Sequence, residues 1–134
     1  MSSAKDKEQL MKQGMQSYID LFNQSNHAGI ADLYTDDATV EDPVGSPVKK
    51  GKAEIAAFYK MAVATGARLA LAAPIRASHG NSAAMAFDVQ LNMPAGKAVI
   101  RVIDVMTFNE AGKFTSMRAF WGQSDMVLLE PPPG

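Results

Sequence analysis

The sequence predicts an α+β domain, and three observations lead there. Helix-periodic apolar stripes are confined to the first half, strand-like alternation dominates the second, and turn residues punctuate the strands. Helices segregated from strands in this way argue against a βαβ repeat. A chain of 134 residues is enough for one domain that buries a core around a ligand-sized hollow. Neither an internal repeat nor a second domain is visible, so residues 1–134 read as a single unit. Residues 1–7 and the Pro-rich 130–134 are expected to be flexible.

Each element has its own justification. In residues 5–23, Met11, Met15, Tyr18 and Phe22 recur at helical spacing and form one stripe. A short second helix is expected over 27–34, with Asn26 as N-cap and Ile30, Leu33 and Tyr34 as its apolar residues. Residues 36–43 change period: Ala38, Val40 and Asp42 alternate with Thr39 and Glu41, as in a strand that Pro43, Gly45 and Pro47 then end. The third helix spans 52–64, with Ile55, Phe58, Tyr59 and Ala62 inward and Gly66 as its stop. Strands follow at 68–73, 75–78, 83–92, 98–109 and 114–128, the last bending near Gly122. The segments HGN at 79–81, PAG at 94–96 and EAG at 110–112 supply turns.

Composition excludes several function classes. A formal net charge of −1 leaves no basic surplus for a phosphate backbone, so nucleic acid is not an expected partner. With no cysteine there is no disulfide, thiolate nucleophile or cysteine-held metal, and His27 and His79 lie in no metal spacing. Residues 1–7 lack the apolar core of a signal peptide, and no apolar run is long enough for a bilayer; a cytoplasmic protein with no membrane partner is the expectation.

The chemistry shows in the strand faces. One side of 98–108 carries Ala98, Ile100, Val102, Asp104, Met106 and Phe108, and the other carries Val99, Arg101, Ile103, Val105 and Thr107. The arginine marks the second side as outer, which sets Asp104 in a hydrocarbon row. Asp42 similarly shares a side with Ala38 and Val40. An uncompensated buried carboxylate is unfavourable by several kcal/mol, roughly, unless it is bonded, paired or protonated. Either aspartate alone reads as a structural acid meeting Arg76, Arg101 or Arg118; both together read as chemistry. All three tyrosines, Tyr18, Tyr34 and Tyr59, fall on inner stripes, as separate core residues or as one phenol network. Met85, Phe87 and Val89, with Met117, Ala119 and Trp121, form stripes that serve equally as core or as the wall of an apolar ligand site.

These residues resemble a known family. The segments YTDDATVEDP at 34–43, IAAFY at 55–59, IRASH at 75–79, VIDVMTF at 102–108 and MRAFW at 117–121 are similar to those of bacterial Δ5-3-ketosteroid isomerases. The resemblance runs from Met15 to Pro131, and VEDP and IDVM are its specific parts. It implies a cone shared with nuclear transport factor 2 and scytalone dehydratase: three helices on a strongly curved, mostly antiparallel sheet around an apolar cavity. By position it implies Asp42 as general base, Tyr18 as principal oxyanion donor and Asp104 as a second donor held protonated. This family is a long-standing example of such pKa tuning. Tyr34 and Tyr59 match the supporting phenols, and Met85, Phe87, Val102, Met117, Ala119 and Trp121 fall where the family lines its steroid site. A 3-oxosteroid or similar apolar ketone is the implied substrate, with no cofactor or metal. A homodimer through the outer sheet face, with Val99, Ile103 and Val105, is also implied. Phe120 stands where a relative has tyrosine, and Lys49 and Lys50 make one loop more basic than the pattern. The rivals are another cone-fold enzyme (cyclase, dehydratase or epoxide hydrolase) and a non-catalytic module binding hydrophobic ligands. A hydrolase of this fold uses an Asp–Arg–Asp set, and Arg101 points away from Asp104.

Overall fold

The computed structural model describes residues 3–130. Helix α1, Ala4–Asn23, opens with a reciprocal cap: the Ser3 side chain accepts from the Asp6 amide and the Asp6 carboxylate accepts from the Ser3 amide. Its stripe buries Met11, Met15, Tyr18, Ile19 and Phe22. Of the stretches expected to be flexible, residues 3–7 form this cap and first turn and Glu130 ends the last strand; the others lie outside the described residues.

Helix α2 covers only His27–Ala31, with Asn26 accepting from the Gly29 amide as its cap. The expected continuation to Tyr34 fails because the Leu33 carbonyl is taken by the Phe114 amide across the sheet. Tyr34 thereby becomes the first residue of β1, Tyr34–Glu41. Lys49–Lys50 forms a two-residue strand, β2, antiparallel to β1. Helix α3, Lys52–Ala64, buries Ile55, Tyr59 and Val63 at four-residue spacing. It starts at Gly51, whose φ of 84° is the left-handed region that glycine favours.

The remaining strands are β3 (Arg68–Leu71), β4 (Ser82–Met93), β5 (Gly96–Phe108), β6 (Phe114–Phe120) and β7 (Met126–Glu130). The strand expected at 75–78 is reduced to one bridge, Arg76 to Ala84. The strand expected over 114–128 divides into β6 and β7 around a 3₁₀ turn, Gln123–Asp125. The sheet order is β2-β1-β6-β5-β4-β3, with β7 on β5. Pairing is antiparallel except between β1 and β6, so the sheet is mixed.

Strand β5 organises the site. Its residues 97–100 pair with β7 and its residues 103–108 with β6, while β4 runs along the other edge from Ser82↔Thr107 to Met93↔Gly96. Changing partners midway bends β5 into a curved, unclosed sheet with the helices against its inner face. The fold class is α+β. Val102, Asp104, Met106 and Phe108 are buried and Arg101 and Ile103 exposed, as the alternation requires. Among the described residues no helix is long and apolar enough to cross a membrane.

Candidate active site

The phenols come from three elements. Tyr18 projects from α1, Tyr59 from α3 and Tyr34 from the start of β1, and all three are buried. The Tyr34 and Tyr59 hydroxyls lie 2.6 Å apart, and the Tyr59 ring stands edge-on to that of Tyr18 at 5.7 Å. Phe114 stands edge-on to Tyr34 at 5.1 Å and fixes its ring. Each phenol has one proton to give. Either hydroxyl of the Tyr34–Tyr59 pair can donate to the other. Tyr18 and Tyr59 line the cavity, which sets phenol donors on its wall. Burial pushes all three well above the ordinary phenol range, so they remain protonated donors at neutral pH.

Asp104 is 1% exposed, and neither of its carboxylate oxygens has a hydrogen-bond partner. None of the arginines open to it by sequence reaches it: Arg118 pairs with Glu41, Arg76 bonds the Pro74 carbonyl and Arg101 faces outward. Burial first, and the charge of Asp42 second, raise Asp104 well above the usual carboxylate range. That direction favours the neutral form of an acid whose oxygens are both unpartnered.

Asp42 sits just past the end of β1 and is half-buried. Trp121 Nε1 donates to its Oδ1 at 2.9 Å. Burial raises its pKa and this bond opposes the rise, because an N–H donor stabilises the ionised form. The two aspartates thus differ in kind. One keeps a donor and partial access to water; the other has neither.

A cavity of about 320 Å³ opens between the helices and the sheet. Tyr18, Tyr59, Asp42, Phe87, Val102 and Trp121 line it, all of them site residues expected from the sequence. Tyr34, Asp104, Met85, Met117 and Ala119 are buried beside it and are not among its lining residues. Met85 and Ala119 are the cross-strand neighbours of Asp104 on β4 and β6, and Met117 pairs with Met106. These three positions, read from the sequence as lining, surround the acid with hydrocarbon in the sheet. Val89, read as core or ligand wall, lines the cavity, as do Phe22, Leu69, Leu91 and Ile100, which were not among the expected binding residues. Their signal was present: Val89 and Leu91 continue the alternation of Phe87, Ile100 that of Val102, and Phe22 follows Tyr18 by one helical turn. His27 and His79 stand apart from the cavity lining. Among the described residues no three His, Cys, Asp or Glu side chains cluster so as to hold a metal ion.

Comparison with known proteins identifies the family. The SnoaL-like domain family matches residues 15–117. The steroid Delta-isomerase of Nocardioides simplex is 41% identical over 118 residues, which cover 88% of this chain and 94% of that protein. The epoxide hydrolase LasB of Streptomyces lasalocidi is 27% identical over 130 residues, 81% of this chain and 46% of LasB. Among solved structures, SalBIII, described as an epoxide hydrolase/cyclase-like enzyme in pyran ring formation in polyether salinomycin, superposes with a TM-score of 0.85 at 28% identity. That match covers 91% of this chain and 98% of SalBIII. With the family match over most of its length and a steroid Delta-isomerase as a relative at this identity, the chain belongs to the SnoaL-like family, in its steroid Delta-isomerase group.

Proposed function

We propose that the protein is an isomerase that moves the double bond of a 3-oxo-Δ5-steroid to the conjugated Δ4 position by intramolecular proton transfer. The observation carrying this reading is Asp104, a buried carboxyl group with both oxygens unpartnered, set near Asp42 on the cavity wall. A buried unmet donor is unfavourable by about 1–3 kcal/mol. A ligand oxygen that accepts from it offsets that cost, most of all when the oxygen becomes an anion.

In the proposed reaction ionised Asp42 takes a proton from the carbon between carbonyl and alkene. The C–H electron pair moves into a dienolate whose oxygen accepts from Tyr18 and from neutral Asp104. Asp42, now a carboxylic acid, returns the proton at the far end of the dienolate, and both aspartates end as they began. The carbonyl itself is the electron sink. Flat apolar rings would occupy the space among Phe22, Phe87, Val102 and Trp121. The position of Arg101, exposed on the opposite face of β5 from Asp104, favours this reading over an Asp–Arg–Asp hydrolase.

A homodimer through the outer face of the sheet belongs to the same proposal, supported by exposed Ile103 and Phe120 on adjacent strands. Val99, one of the residues assigned to that interface from sequence, is already buried within the single chain opposite Val127.

The test is direct. Added unconjugated 3-oxosteroid should give a rise in the ultraviolet absorbance of the conjugated enone. Asp42→Asn should slow that rise by about 10²–10⁴-fold, the usual contribution of a positioned acid–base group, with steroid affinity little changed. A flat trace from correctly folded wild-type protein sinks the proposal.

A further inference from the structure

Three residues near the end of β6 hold three residues around the base. Trp121 Nε1 donates to the Asp42 carboxylate at 2.9 Å. Between them, the Ala119 carbonyl accepts from the Val44 amide at 2.8 Å, just after the base. On the far side, Arg118 Nε donates to Glu41 Oε1 at 3.1 Å, and the other oxygen, Glu41 Oε2, accepts from the Gly45 amide at 3.0 Å. Glu41 and Arg118 are also register partners in the parallel β1–β6 pair. The chain on either side of Asp42 is therefore fastened to one short piece of β6, and the side chain itself to the same piece.

We propose that the Glu41–Arg118 pair is a positioning device for Asp42: it closes the turn after the base through Gly45 and so sets where the carboxylate meets the substrate carbon. This assignment rests on the isomerase reading above. Three features support a positional role over a structural one. The pair is solvent-accessible, with side chains 22% and 53% exposed, and such ion pairs add little to stability. Glu41 accepts from both a strand neighbour and the loop amide, and those two donors favour its ionised form and lower its pKa. Arg118 is itself braced, its guanidinium lying 5.3 Å from the centre of the Phe120 ring. Nothing in this cluster enters the cavity lining except Asp42 and Trp121. Its effect on the reaction must pass through the base.

The experiment measures kcat and KM for Arg118→Met, Arg118→Lys and Glu41→Gln, each alone and with Asp42→Asn. A reacting group displaced by about 1 Å can lose up to about 100-fold in rate. We expect Arg118→Met and Glu41→Gln to lower kcat about tenfold or more with KM within about twofold. Arg118→Lys, which keeps a cation for Glu41, should recover most of the loss. In the Asp42→Asn background Arg118→Met should add less than about twofold, since there is no base left to misplace. Wild-type kcat in both single variants overturns the assignment while the isomerase reading stands; so does an undiminished effect of Arg118→Met on the Asp42→Asn protein. A wild type with no isomerase activity sinks the reading and the assignment together. Should Arg118→Met fold poorly by circular dichroism, Glu41→Gln and Arg118→Lys decide the matter.

Discussion

At the scale of single residues, burial of Asp104 favours its neutral form and ties the protein's stability to pH. Asp104 has a raised pKa in the folded chain and an ordinary one, about 3.9, when unfolded. Between these two values the folded state holds a proton that the unfolded state has released. The slope of unfolding free energy with pH is then negative, so stability falls as pH rises from about 4 and levels off above the folded pKa. In this window the loss amounts to at most about 1.4 kcal/mol per pH unit for one group. Asp104→Asn cannot ionise and should lack this component. Urea titrations at several pH values should show the variant gaining on wild type as pH rises above about 4, with the two alike below that. In the proposed reaction, Asp104→Asn should retain activity within about tenfold because an amide still donates, whereas Asp104→Leu should lose about 10²–10³-fold in kcat. Equal losses in Asn and Leu variants would end the donor role. The inward setting of this acid was legible in the sequence, because period two in Val102, Asp104 and Met106 is unambiguous. Its sealed state was not: the seal is Met85 and Ala119, brought alongside only by sheet register.

Among elements, what could be read depended on how local the cause was. Helix α3 follows from its own stripe and its glycines, and its bounds match the residues expected, Lys52–Ala64. Tyr34 shows the opposite case. Helical spacing from Ile30 made it the last residue of α2, but a hydrogen bond between Leu33 and Phe114 pulls it into β1. No local pattern encodes a partner eighty residues away, nor the parallel pairing of β1 with β6. A second long-range tie joins α1 to the sheet: the Asn23 side chain donates to the Leu69 carbonyl and accepts from the Leu69 amide, both at 2.8 Å. One amide thus imitates a strand neighbour and fastens the helix carrying Tyr18 to the edge strand β3. Asn23→Ala leaves both Leu69 groups unmet and should destabilise the fold by about 1–3 kcal/mol in a urea melt. Phe22 and Leu69 also line the cavity, so ligand affinity should fall along with stability. Asn23→Asp preserves the acceptor and loses the donor, and should land between the two. An alanine variant as stable as wild type would show that α1 is held by its apolar stripe alone.

The whole molecule presents a question that its inner face does not answer. An antiparallel sheet with one face in water ordinarily alternates apolar inward and polar outward. The outward row of β5 breaks this rule with Ile103 and Val105, and Phe120 extends the row onto β6 opposite Ile103. Ile103 is 50% exposed and Phe120 41%. They share a shallow groove with Val44 and Ala86, flanked by the cross-strand pair Asp88 and Arg101. Apolar side chains on adjacent strands, rimmed by Asp88, Asp125 and Arg101, have the composition of a surface that a second copy can cover through a two-fold axis. In such an arrangement Ile103 would be buried near the axis, and a carboxylate there would be desolvated without a partner. Sedimentation velocity at micromolar concentration should therefore find wild type as a dimer and Ile103→Asp as a folded monomer. Ile103 points away from the cavity, so the core around Asp104 has no direct reason to change, and the variant's circular dichroism should match wild type. Ile103→Leu, which keeps the apolar surface, should remain dimeric. A wild-type monomer, or an aspartate variant that dimerises as tightly, would mean that the apolar back of the sheet serves another purpose.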